Sequence, residues 1–192
     1  MKIILASKSP RRKEILENLG LEFEIIVADA DESCDIENPS ELVMTIAQRK
    51  GVAVLEGLSK NERCDTLLIA CDTLVYAGGE FLGKPQNRED ARRMLSLLSG
   101  SSHEVISGLY LYYNGKEARR AASTKVFFDE MTEYDIEKYL ESGEPFDKAG
   151  AYAIQGKASA YISGIEGDYF NVVGLPANLL IKTVREEFGV EL

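Results

Sequence analysis

Lys2-Ile3-Ile4-Leu5-Ala6-Ser7-Lys8-Ser9-Pro10-Arg11-Arg12 opens the chain with an apolar run, a polar turn and then a helical pattern. It reads as strand, tight turn, helix. Ser9 suits an N-cap and Pro10 the first helical position, where its fixed φ matches the helix and its missing N–H removes one orphan donor, so the helix is expected from Arg11. Backbone N–H groups, the positive end of the helix dipole, the hydroxyls of Ser7 and Ser9 and the guanidinium groups of Arg11 and Arg12 would then converge, a combination suited to phosphate. An ordinary capped helix with surface arginines is the competing reading of the same residues.

Beyond that helix, which should end near Gly20, Phe23 to Val27 alternates like a strand, and the acidic run Asp29 to Glu37 is a loop by composition. Asn38 with Pro39 and Glu41 marks a helix start, and Leu42, Ile46, Val52 and Leu55 carry a helical period to Gly57. Thr66 to Ala70 is a short apolar run of the kind found in buried strands. A hairpin turning at Gly78-Gly79 and a second at Asn114-Gly115 are expected, and between them Asn87 with Asp90 makes a weak capping box for a helix through Leu98. Thr132 with Asp135 caps a further helix ending at Gly143, and Pro176 starts the last one. Strands and helices alternate at first and hairpins dominate later. The natural packing is α/β: a mixed twisted sheet with flanking helices, in one domain over residues 1–192 with no linker. If the domain has two lobes, the cleft between them is the expected site.

A chain of 192 residues with 45% hydrophobic content can bury its own core. Its net charge of −10 argues against a general affinity for nucleic acid or an anionic membrane, so a basic site here is local and suits a small anion. With no leader-like segment and no apolar run long enough to span a bilayer, a cytoplasmic protein is expected. Cys34, Cys64 and Cys71 form no CxxC pair and read as reduced bystanders. His103, the only histidine, reads as structural.

Asp72 follows the run Leu67 to Cys71 and should project from the C-terminal end of a buried strand, the edge where α/β sheets bind ligands; an acid there can also simply turn the chain. Thr73 adds a hydroxyl. Glu32 sits in an acidic loop that would ordinarily be a solvated face. Two carboxylates brought together from separate loops repel, and a divalent cation or a proton relieves that repulsion. Lys84, between Gly83 and Pro85, suits an ammonium held in one orientation, although Pro85 stands where a Walker loop has Ser or Thr. Gln155, beside Gly156, could read a base edge with its paired donor and acceptor or satisfy local backbone. Tyr110, Tyr112, Tyr113 and Phe128 alternate on strands and read as core or dimer surface.

These pieces together resemble the Maf family of nucleotide pyrophosphatases. The matching segments are Ser7-x-Ser9-Pro10-Arg11-Arg12, Asp31-Glu32, Ala47-x-x-Lys50, Cys71-Asp72-Thr73, Gly83-Lys84-Pro85, the run from Gly150 to Gly156, and Gly167-Asp168-Tyr169-x-Asn171 through Pro176. They keep the family's order over nearly the whole chain. The resemblance implies a fold similar to the inosine triphosphate pyrophosphatases, two lobes around a deep cleft, and metal-dependent hydrolysis of a nucleoside triphosphate to monophosphate and pyrophosphate. Arg12, Thr73 and Gln155 map onto specificity positions and resemble the branch acting on dTTP and UTP rather than on 7-methyl-GTP. Ser7, Arg11, Arg12, Lys50 and Lys84 are expected to hold the triphosphate. Glu32 and Asp72 are expected to hold Mg²⁺ or Mn²⁺, with Asp72 also the base. Cys71 departs from the alanine or serine common at its position. The family's link to septum formation leaves a nucleotide-sensing regulator with little turnover as the alternative. A homodimer is expected from prevalence alone.

Overall fold

The computed structural model describes all 192 residues. In chain order its regular elements are β1 (Lys2–Leu5), α1 (Pro10–Asn18), β2 (Glu24–Ile25), α2 (Pro39–Glu56), α3 (Lys60–Arg63), β3 (Thr66–Ala77), β4 (Glu80–Leu82), α4 (Arg88–Leu98), β5 (Ser102–Tyr113), β6 (Lys116–Phe128), α5 (Glu133–Glu141), β7 (Ile162–Glu166), α6 (Tyr169–Val173) and α7 (Ala177–Thr183). Short 3₁₀ turns lie at Glu144–Asp147, Ala149–Ala151 and Lys157–Tyr161, and α7 is followed by a π-turn, Val184–Phe188. The strands form one sheet in the order β2-β1-β3-β5-β6-β7, with β4 also on β3. The first three are parallel, whereas β3–β4 and β6–β7 are antiparallel, which makes the sheet mixed. No helix is long and apolar enough to cross a membrane.

The chain divides into two compact units: Met1–Asp72 with Ser107–Ala122 and Gly174–Leu192, and Thr73–Ile106 with Ser123–Val173. In the first unit β1 lies between β2 and β3, so Ile3, Ile4, Leu5 and Ala6 are buried on both faces. Helix α2 buries Val43, Ile46, Ala47, Val54 and Leu55, the spacing of one helical face. It approaches the sheet closely. A Cβ on Gly108 of β5 would lie 2.4 Å from the Val43 backbone, and one on Gly51 would lie 2.2 Å from the Tyr110 ring. Glycine at both positions fixes the seat of α2 and with it the placement of Lys50.

In the second unit α4 and α5 pack together with β3, β5, β6 and the 3₁₀ turns around Leu82, Leu95, Leu98, Val126, Tyr139 and Tyr152. Arg88 and Arg92 of α4 pair with Glu133 and Glu137 of α5. His103 is buried here. Its Nε2 lies 2.7 Å from the Tyr152 hydroxyl, its ring packs against Phe128 and Tyr152, and Nδ1 has no partner. The structural reading of this residue therefore fits its surroundings. Burial pushes its pKa down from the ordinary 6.5 to about 4. The unfolded chain takes up this proton at the higher pH, so the contribution to stability is complete above pH 6.5 and is lost as pH falls towards 4, by roughly 3 kcal/mol. In urea titrations at pH 7 and pH 4.5, His103→Gln is expected to lose less stability on acidification than the wild type. Equal losses would remove His103 from the acid response.

Local signals set most boundaries. Ser9, Asn38, Asn87 and Thr132 all cap the helices they precede. Asn114 and Gly115 both have positive φ, as a two-residue hairpin turn requires. Four expectations are corrected. Helix α1 includes Pro10 rather than starting at Arg11, and β2 is two residues long because only Glu24 and Ile25 reach the β1 ladder. Asn87 and Asp90 form half a capping box, since the Asp90 carboxylate accepts from the Gln86 N–H instead. Pro176 caps α7 and stands outside it.

Candidate active site

The turn after β1 places Ser7 at the C-terminal end of a buried parallel strand, the sheet edge at which α/β folds bind ligands. Ser7 is buried, and its Oγ accepts from the Ser9 N–H at 3.2 Å and from Arg12 Nη1 at 3.1 Å. Two accepted bonds leave the Ser7 O–H to donate. Arg12 Nε also donates to the Gly174 carbonyl at 2.8 Å, so its guanidinium is fixed between the first turn of α1 and the segment before α7. Ser9 Oγ accepts from the Arg12 N–H at 3.5 Å, a long cap. Arg11 is half-buried in the same helical turn but does not line the adjoining pocket.

That pocket has a volume of about 490 Å³ and is lined by Ala6, Ser7, Lys8, Arg12, residues 27–30, Glu32 and Lys50. One wall is the acidic loop. Arg49 of α2 holds this loop, donating through Nη1 to the carbonyls of Asp31 at 3.0 Å and Ser33 at 2.6 Å. The Asp31 carboxylate accepts from the Ser33 hydroxyl and N–H, which lowers its pKa and stiffens the turn. The next residue, Glu32, is thereby directed at Lys50.

Lys50 is the centre of the arrangement. Its ammonium lies 2.7 Å from Asp72 Oδ1 and 3.1 Å from Glu32 Oε1. Lysine and aspartate are mostly covered, with side chains 21% and 15% exposed, while Glu32 is 58% exposed. Two carboxylates from separate segments thus share one ammonium, which relieves their repulsion. Asp72 arrives by a different route from the one expected. The strand does not stop at Cys71 but runs on to Ala77, so Asp72 sits mid-strand, where burial relaxes from complete at Leu67–Cys71 to half at Asp72 and Thr73. Cys71 is buried and its thiol donates to the Gly174 carbonyl at 3.3 Å, the same oxygen that receives Arg12.

The two carboxylates form a hard, oxygen-only donor pair that already faces one cation. Such a pair fits a divalent ion of the magnesium type, which is commonly held by one or two carboxylates with water and substrate phosphate completing its shell. No cluster of three or more His, Cys, Asp or Glu side chains exists that could form a dedicated all-protein cage.

Thr73, Lys84 and Gln155 belong to the second unit. Thr73 follows Asp72 on β3 and is half-buried. Lys84 is exposed: Gly83 O accepts from the Gly150 N–H at 3.0 Å and Pro85 is buried, which fixes the backbone, but the ammonium makes no ion pair. The orientation expected of it is therefore imposed on the main chain only. Gln155 is exposed on a turn closed by the Gly156 N–H donating to Ala153 O at 3.0 Å. Sequence reading missed Lys8, Arg49 and the Gly174 carbonyl. The first two lie beside motif residues, and the third is a backbone group with no side-chain signature.

A family model described as Maf-like protein matches residues 2–187. A dTTP/UTP pyrophosphatase of Bacillus anthracis is 45% identical over 192 residues, covering 100% of this chain and 97% of the relative. Proteins of the same name from Bacillus thuringiensis subsp. konkukian and Bacillus cereus are 45% and 44% identical, the latter over 96% of this chain and 95% of its own length. With the phosphate-type turn and the bridged carboxylates standing within a match that spans the chain, this protein belongs to the Maf-like family.

Proposed function

We propose that the protein is a metal-dependent nucleoside triphosphate pyrophosphatase that converts dTTP and UTP to the monophosphate and pyrophosphate. The observation that carries this reading is Lys50 bridging Glu32 and Asp72 beside a pocket that also presents Ser7 and the anchored Arg12. The full-length relatives named for that activity give the substrate class.

A triphosphate brings about four negative charges, and the first turn of α1 offers backbone N–H groups and a dipole of the right sign for it. Arg12 is pre-oriented by Gly174 and Ser7, so little side-chain freedom is lost when it binds a phosphoryl oxygen. Lys8 and Lys50 add cationic charge at the pocket wall. Glu32 and Asp72 would hold a magnesium or manganese ion, which when bound screens the phosphates and polarises a phosphoryl oxygen. Asp72 would take a proton from water as the water oxygen bonds to the α-phosphorus. The bond from the α-phosphorus to the bridging oxygen breaks, and pyrophosphate leaves with that oxygen. Cationic side chains stabilise the charge that develops there. Thr73 and Gln155 would discriminate the base, and Arg11 and Lys84 would add to triphosphate binding.

Pyrophosphate release from dTTP, UTP, dCTP, GTP and 7-methyl-GTP, with Mg²⁺, Mn²⁺ or a chelator, tests the reading. Metal-dependent cleavage favouring dTTP and UTP is expected. Folded protein that cleaves none of the panel would refute it and favour a nucleotide sensor.

A further inference from the structure

The segment that carries Gln155 is held at both ends by one carboxylate. Glu144 Oε2 accepts from the backbone N–H of Lys157 at 3.1 Å. Its Oε1 accepts from the Tyr139 hydroxyl at 2.7 Å, and that hydroxyl accepts in turn from the backbone N–H of Ala153 at 3.3 Å. Backbone donors on each side of Gln155 are therefore tied to Glu144, one directly and one through a phenol. Gly156 makes this possible, because a Cβ there would lie 2.1 Å from Glu144 Oε1. Tyr139 is buried on α5, and burial, followed by the adjacent carboxylate, pushes its phenol up so that it stays a donor. Ser142 Oγ accepts from the Glu144 N–H at 3.3 Å, which secures the clamp's own backbone.

We propose that Glu144 is a positioning residue for base specificity: by clamping Ala153 and Lys157 it sets the direction in which Gln155 presents its amide, without touching substrate. The inference rests on the reading of Gln155 as the base-facing residue of a pyrimidine nucleotide pyrophosphatase. An amide offers a donor and an acceptor side by side, and hydrogen bonds weaken steeply with misalignment, so a loosened turn loses discrimination before it loses chemistry.

The test combines amide hydrogen exchange with kinetics on dTTP and dCTP for wild type, Glu144→Ala, Glu144→Gln, Gln155→Ala and the double variant of Glu144→Ala with Gln155→Ala. Glu144→Ala is expected to speed exchange by about tenfold or more at Lys157, whose acceptor is removed, and by less at Ala153, whose phenol acceptor loses its anchor. It should also lower the dTTP preference in kcat/KM by about tenfold, through KM for dTTP with kcat nearly unchanged. Glu144→Gln keeps one acceptor and should recover part of both effects. Because Glu144 acts through Gln155, the double variant should lose no more preference than Gln155→Ala alone. Unchanged exchange at both amides, or additive losses of preference in the double variant, would overturn the proposal. Wild-type protein that cleaves neither nucleotide would instead overturn the nucleotide reading, and the specificity role with it, while exchange would still decide whether Glu144 clamps the turn.

Discussion

Asp72→Asn is expected to lower kcat on dTTP by ~10² to 10⁴ while leaving the fold and most of the nucleotide affinity in place. Asparagine has the shape of aspartate, and its amide oxygen can accept from Lys50 as Oδ1 does at 2.7 Å in the wild type. What the substitution removes is the charge and the basicity. In the ground state the hydrogen bond from Lys50 weakens by about 1–3 kcal/mol at most, because a neutral acceptor replaces a charged one at a partly covered site. A hundredfold fall in turnover corresponds to a barrier raised by about 2.7 kcal/mol, and it would appear in kcat with little change in KM. Steady-state kinetics beside a thermal melt separate the two effects. A folded variant turning over within a few-fold of wild type would take Asp72 out of the chemistry. The expectation holds whether Asp72 acts mainly as base or as metal ligand, since both roles need the carboxylate and each weakens the other.

What could be read from the sequence follows the range of the interactions that decide it. Caps and hairpin turns are local. Ser9, Asn38 and Thr132 announce their helices within three residues, and Asn114-Gly115 announces a turn that no bulkier pair adopts easily. The extent of β3 is not local. An acid after five buried apolar residues reads as a strand end, because aspartate is depleted in strands. Here the ladder continues through Asp72 and Thr73 to pair with β4, and Lys50 compensates the half-buried charge. The bridge itself joins residues 32, 50 and 72, which no periodicity relates. The family resemblance names all three, yet it does not say that a lysine stands between the acids. The roles of Arg49 and of the Gly174 carbonyl were equally hidden, since the first anchors a loop through main-chain oxygens and the second has only a main-chain oxygen to offer.

Lys50→Met is expected to cost ~10² to 10³ in kcat/KM and, separately, to make the protein's stability respond to divalent metal. The activity loss follows from removing one cation from a site that must hold a highly charged anion and stabilise a charged leaving group. The stability effect follows from the bridge. In the wild type the ammonium neutralises two carboxylates that face each other from the acidic loop and from β3. Methionine keeps an unbranched stem of similar length but leaves Glu32 and Asp72 without the cation they share. Removing one partner of a partly covered ion pair destabilises by about 1–3 kcal/mol, with the larger share falling on Asp72, the more buried of the two acids. A divalent ion can take up the vacated charge, so Mg²⁺ or Mn²⁺ should raise the melting temperature of Lys50→Met more than that of wild type, where lysine competes for the same oxygens. Glu32→Gln combined with Lys50→Met should abolish the extra response by removing one of the two carboxylates. Identical metal responses in wild type and Lys50→Met would show that the two acids do not share a metal ion. The kinetic loss would then belong to phosphate binding alone.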